Sequence, residues 1–163
     1  MQTIEFEPIG IINSPFKEPK GTPIQPKAGD EAEGTIKVFP EFAEGLKDLD
    51  GFSHIVLIYH FHRSSKEKAS LLVKPFMDDQ YHGVFSTRAP KRPNSIGLSV
   101  VRLTKVEGSI LHIKELDMLD QTPLLDIKPY TEAFDKRENI RIGWLEDNIG
   151  KMPDAEDDGR FSE

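Results

Sequence analysis

Apolar positions along this chain recur in short alternating runs rich in β-branched residues: Ile4 to Ile12, Gly34 to Phe39, Phe52 to Phe61, Val84 to Thr87, Ile96 to Lys105, Ser109 to Leu116 and Leu124 to Ile127. Clusters of Gly, Pro and Asp separate them. Alternation with a period of two turns one side of each run toward a core, so the pattern predicts seven strands and a mainly β fold. The segments Leu98 to Lys105 and Ile110 to Asp117 meet across Glu107-Gly108-Ser109, where glycine can supply a positive φ, and a hairpin is expected there. Pro40-Glu-Phe-Ala-Glu-Gly-Leu46 has proline at a first helical position and apolar Phe42, Ala43 and Leu46 behind it, which predicts one short helix capping the sheet. Closing the strands into a single small β-barrel removes exposed edges most simply; a β-sandwich is the alternative.

Two stretches lack a period, Ser14 to Glu33 and Ser64 to Asp79. Loops of that length in a compact domain are functional or disordered. Beyond Tyr130, Ile140-Arg-Ile-Gly-Trp-Leu145 is expected to add a strand or a contact to another subunit, and Lys151 to Glu163 reads as a charged, frayed tail. At 163 residues the chain fits one core. The expected division is a barrel over residues 1–135, which includes the short helix, and an irregular C-terminal extension with an acidic tail over 136–163.

No apolar run approaches the roughly 18 residues that span a bilayer. The first residues carry acids, Glu5 and Glu7, instead of the basic start of a signal peptide, so a cytoplasmic location without membrane association is expected. The chain has no cysteine, which excludes disulfides, zinc–thiolate sites and thiol nucleophiles. The net charge of -7 argues against nucleic acid at first, because phosphate binding rests on Lys and Arg. The distribution changes that picture. From Ser86 to Lys105 the charges are Arg88, Lys91, Arg92, Arg102 and Lys105 with no acid among them, while the acids gather between Asp154 and Glu163. A basic patch on an acidic protein can still dock RNA.

No dinucleotide fingerprint, phosphate loop, H-E-x-x-H or G-x-S-x-G is present. His60 and His62 share one face of a strand, with His54 or His82 as a conceivable third ligand, but no carboxylate cluster completes a coordination shell and no metal is expected. The denser chemistry lies in two clusters. In Arg88-Ala-Pro-Lys-Arg-Pro-Asn-Ser-Ile-Gly97 two prolines fix φ and stiffen a basic loop, so its guanidinium groups meet carboxylates or phosphates with less entropy to lose. In Asp117-Met-Leu-Asp-Gln-Thr-Pro-Leu-Leu-Asp-Ile-Lys-Pro-Tyr130 three acids can bind a cation, a ribose or an amine. Asp120 before Thr122-Pro123 is equally an ordinary turn residue. Asp126, placed between apolar neighbours in a strand, needs a cation or donors, and Arg88 or Arg92 is the expected partner.

Three blocks, Ile9-Gly-Ile-Ile-Asn-Ser-Pro-Phe16, Gly83-Val-Phe-Ser-Thr-Arg88 running into Arg92-Pro-Asn-Ser-Ile-Gly97, and Leu119-Asp-Gln-Thr-Pro-Leu-Leu-Asp-Ile-Lys-Pro-Tyr130, together resemble the TrmO-type tRNA methyltransferases in order and spacing. The likeness covers about residues 4 to 131 and departs at Ser95, usually proline there, and at Gln121, usually glycine. The resemblance implies a β-barrel that binds S-adenosylmethionine, forms a homodimer and methylates N6 of threonylcarbamoyladenosine at position 37, in the anticodon loop of tRNA. It assigns cofactor contacts to Pro23, Ile24, Gln25, His62, Arg63, Arg88, Leu98, Asp117, Met118, Leu119 and Asp120. On that footing Arg88 pairs the cofactor carboxylate and Asp117 or Asp120 receives its amino group or ribose hydroxyls. Asp126 and Tyr130 are candidate proton acceptors. Lys91, Arg92 and Arg102 are candidates for anticodon-loop phosphates, Arg92 or Asn94 for the threonyl carboxylate, and Phe16 or Phe85 for stacking on an unpaired base. A non-catalytic barrel that binds an adenosine cofactor or RNA is the alternative.

Overall fold

The computed structural model describes residues 1–26, 32–64, 67 and 69–162. Its strands are β1 (Gly10–Asn13), β2 (Glu33–Val38), β3 (His54–His60), β4 (Leu72–Val73), β5 (His82–Gly83), β6 (Ile96–Glu107), β7 (Ile110–Lys114) and β8 (Thr122–Pro129). Six of them close into a barrel in the order β1-β2-β7-β6-β3-β8, antiparallel at every seam, and β4 with β5 forms a separate small ladder. Alternation decides what fills the interior. Ile55, Leu57 and Tyr59 of β3 point inward beside Ser99, Val101 and Leu103 of β6, and Ile12, Ile36, Leu111, Ile113 and Leu124 complete a core with almost no exposed surface. Burial of each such aliphatic side chain contributes about 1.5–3 kcal/mol, which makes this core the main source of stability. The β6–β7 hairpin turns at Gly108 with φ +62°, as its glycine predicted.

Several expected elements differ. Strand structure in the first run starts only at Gly10; Ile4 and Phe6 are exposed, because the barrel seam uses β1 over four residues and then closes against β2 and β8. Val84–Ser86 is a single 3-10 turn, in which Ser86 and Thr87 hydroxyls donate to the carbonyls of Gly83 and Val84 and compete with any ladder. Pro40–Leu46 is also 3-10, a tighter winding typical of so short a segment. The aperiodic stretch from Ser14 is irregular as expected up to Gln25, and its residues 27–31 lie outside those described.

Beyond the barrel come α1 (Glu132–Asp135) and two 3-10 turns, Gly143–Leu145 and Ile149–Asp154. The segment around Ile140 thus adds no strand; its Trp144 indole donates to the Ser86 carbonyl at 2.9 Å. The last residues are docked rather than frayed: Pro23 bridges Glu156 in antiparallel fashion, and Phe161 packs with Val73, Val84 and Ala89 in a second small core.

Asp126 also has a different setting from the one its neighbours suggest. Ile58 pairs with Asp126 but Tyr59 pairs with Leu124, so Leu125 is an extra residue in a β-bulge. The bulge breaks the alternation, leaving Asp126 nearly half exposed in an ion pair with Lys128 at 2.8 Å rather than with Arg88 or Arg92.

A candidate ligand cavity at one end of the barrel

The end of β3, the start of β6 and the connection from β7 to β8 converge on a cavity of about 650 Å³. Such a volume suits a nucleotide-sized ligand. Loops finish its walls: Pro19 to Gln25 on one side, Thr87 to Asn94 on another, and the C-terminal residues Asp157, Phe161 and Ser162.

At the floor, chain geometry forces one small residue. A Cβ on Gly97 would fall 2.2 Å from Cε2 of the Tyr59 ring, so only glycine lets that ring lie flat against β6. The ring then aims its hydroxyl at Ser99 Oγ, 3.0 Å away, and Ser99 donates its own proton to Asp117 Oδ1 at 2.6 Å. With the serine proton committed to the carboxylate, Tyr59 is the donor in the first bond. Burial pushes the Asp117 carboxyl up to about 7, against the pull of the Ser99 hydrogen bond and the positive charge of Arg88. Burial and the neighbouring Asp117 charge hold the Tyr59 phenol well above its ordinary value.

Arg88 stands at the rim, exposed, with Nη1 donating to Gln25 Oε1 at 3.0 Å. His62 is held below the usual imidazole range by burial and by the charges of Arg63 and His60, and its Nδ1 lies 3.5 Å from Thr122 Oγ1. Neutral histidine beside exposed arginines leaves the cavity cationic at its mouth and carboxylic at its floor. That combination suits a ligand carrying both a carboxylate and cationic or hydroxyl donors.

The fold brings Pro23, Ile24, Gln25, His62, Arg63, Arg88, Leu98, Asp117, Met118 and Leu119 together around this cavity, although they are scattered in sequence. Asp120 is adjacent but faces away. Its carboxylate accepts from the Ser14 amide at 2.9 Å and from Lys17 Nζ at 2.6 Å, while Ser14 Oγ donates to the Met118 carbonyl, so Asp120 staples the loop after β1 to the turn that carries Asp117. Gln121 completes that turn at φ +62°, the conformation for which glycine is better suited.

Of the basic candidates, Arg92 and Asn94 line the cavity, and Arg92 Nη1 also braces its own loop by donating to the carbonyls of Thr87 and Ala89. Lys91 lies outside the lining, and Arg102 projects from the outer face of β6 to Glu115 at 3.1 Å. Asp126 borders a second depression beside Phe42 and Leu49, and Tyr130 sits against His54 at the opposite end of β3. Phe85 is exposed, whereas Phe16 packs against the core. The histidines are dispersed: His82 bonds Asp78 at 2.7 Å and stacks on Trp144. Sequence reasoning missed Tyr59, Gly97 and Ser99, whose inward alternation was visible, and the C-terminal wall, which carried no signal.

A closed six-stranded barrel with a mixed-charge, nucleotide-sized cavity at one end is a small-molecule-binding domain built on a β scaffold. The chain belongs to the family described as the tRNA-methyltransferase O N-terminal domain, whose model matches residues 11–136. It is 63% identical, over 96% of its length and 84% of the relative's, to a probable S-adenosyl-L-methionine-binding protein of Pyrococcus abyssi. It is 38% identical to the tRNA (adenine(37)-N6)-methyltransferase of Mus musculus over 83% of this chain, but spans only 33% of that protein. The crystal structure of TrmO from Pseudomonas aeruginosa superimposes with a TM-score of 0.74 at 38% identity, covering 89% of this chain and 62% of that one.

Proposed function

We propose that this chain is an S-adenosylmethionine-dependent methyltransferase that acts in the cytoplasm on N6 of threonylcarbamoyladenosine at position 37 of tRNA, working as a homodimer. The observation that carries this reading is the convergence of the cofactor residues implied by the family resemblance on one cavity of fitting size and chemistry. The relatives named as methyltransferases and as S-adenosylmethionine-binding proteins support it.

The residues present fit the cofactor. Arg88 offers an exposed fork to its carboxylate, held in place by Gln25. Apolar Ile24, Leu98 and Leu119 provide surface for adenine, and neutral His62 can bond a ligand donor or acceptor without adding charge. When bound, the cofactor supplies an already activated methyl group, so the protein's work is to align nucleophile and methyl and to exclude water. The lone pair of the ureido nitrogen is delocalised, and its proton must leave as the new carbon–nitrogen bond forms. Asp117 lies in the cavity with its carboxyl near neutrality and is the proton acceptor, a better-placed group than Asp126 or Tyr130. Ser99 and Tyr59 orient it through their hydroxyl chain. Arg92 and Asn94 at the rim receive the threonyl carboxylate, and basic residues from two subunits together offset the net charge of -7 toward the anticodon loop.

The test is transfer of label from methyl-labelled S-adenosylmethionine to tRNA with and without prior threonylcarbamoylation, comparing the native protein with Arg88→Ala. Label should enter only the modified tRNA and be lost in the variant. Cofactor binding without transfer to either tRNA would replace an enzyme with a non-catalytic binding module.

A further inference from the structure

The C-terminal segment, residues 155–162, is a strap between two walls of the cavity. On one side the Gly21 amide donates to the Asp157 carbonyl at 2.7 Å and the Asp157 amide donates to the Thr22 carbonyl at 2.8 Å, adding a short antiparallel pairing to the loop that holds Ile24 and Gln25. On the other side Arg160 donates to the Pro75 carbonyl at 2.8 Å and lies over the Phe76 ring, which also meets Phe161 edge-on at 4.9 Å. Neither anchor involves the barrel's own ladder. The strap therefore joins the loop after β1 to the excursion between β3 and β6.

Between these anchors Asp157 faces the cavity, partly buried. Its Oδ1 accepts from the Gly159 amide at 2.7 Å, which fixes the side chain, while Oδ2 has no hydrogen-bond partner among the described residues. An open carboxylate oxygen on a side chain that lines a cavity rimmed by Arg63, Arg88 and Arg92 is suited to a ligand donor. We infer that Asp157 is a cofactor-binding residue, carried to the site by the C-terminal strap, and that its free oxygen receives an ammonium or ribose hydroxyl of S-adenosylmethionine. The inference rests on the function proposed above. It gives these last residues, which lie beyond the span of the matched family model, a part in the site.

Equilibrium titration of S-adenosylmethionine into the native chain, Asp157→Asn, Glu156→Gln and Phe161→Ala tests it. Asparagine keeps the acceptor for the Gly159 amide, so the strap stays docked while the charge is lost. Affinity should fall about tenfold in Asp157→Asn, the size expected for one charge-assisted hydrogen bond. It should also fall in Phe161→Ala, which releases one anchor, and stay unchanged in Glu156→Gln, whose exposed side chain lies outside the lining. Native affinity in Asp157→Asn, or an equal loss in Glu156→Gln, would overturn the role of Asp157 alone. A native chain that binds no S-adenosylmethionine would overturn the proposed function and this inference with it.

Discussion

Replacing Asp117 by asparagine should stabilise the fold, and more so as the pH rises. The carboxyl titrates at about 7 in the folded protein against an ordinary value of 3.8, because burial disfavours its charged form. A carboxyl whose pKa is raised on folding binds its proton more tightly in the native state. Stability is thus fully present below the unfolded value and is lost progressively as pH climbs toward 7, beyond which the loss levels off. With about 1.4 kcal/mol for each unit of difference, the cost rises by roughly 2–3 kcal/mol between pH 5 and pH 8. Asparagine at this position still accepts from Ser99 and carries no charge to desolvate. Urea unfolding of both proteins at pH 5 and pH 8 should show the variant gaining about that much on the native chain across the interval. The same variant should lose methyl transfer, since it can no longer take up a proton. A stability difference independent of pH would refute a buried, elevated carboxyl at the cavity floor.

Gly97→Ala forces the Tyr59 ring away from a Cβ at 2.2 Å and breaks its bond to Ser99, so unfolding midpoints should drop by an amount equivalent to about 1–3 kcal/mol. Ser95→Ala should raise stability by about 1 kcal/mol in the same assay, because Ser95 Oγ is buried without a partner among the described residues. Arg88→Ala should weaken cofactor binding by roughly 10- to 100-fold in calorimetric titration. It should also move the pH midpoint of the Asp117 signal in carboxyl NMR upward, since the Arg88 charge favours the ionised form.

The barrel was legible because its strands are half-buried and alternate: the runs Gly34 to Phe39, Phe52 to Phe61 and Ile96 to Lys105 contain most of β2, all of β3 and most of β6. Where side chains bond locally, as at Val84 to Thr87, a β-branched composition was misleading. The bulge at Leu125 was invisible too, since one skipped residue reverses every subsequent side chain without altering composition. Arg88, Arg92, Asn94 and Asp117 stood out in two dense clusters, but that they share a site with Pro23 to Gln25, His62 and Leu98 was legible only through the family resemblance, because a barrel mouth gathers single residues from many loops. Tyr59 and Ser99 could be placed inward by periodicity, but that they link to Asp117 depends on the pairing of β3 with β6. The strap at residues 155–162 had the composition of a solvated tail, and its backbone pairing with Gly21 and Thr22, together with the contacts of Arg160 and Phe161 to Pro75 and Phe76, sets it apart.

A crystal structure of the chain with S-adenosylhomocysteine tests the central claim most directly. The ligand should occupy the cavity between Arg88 and Asp117, its carboxylate within hydrogen-bonding distance of the Arg88 guanidinium. Density anywhere else, such as the depression beside Phe42 and Asp126, would contradict the assignment of this barrel end as the cofactor site.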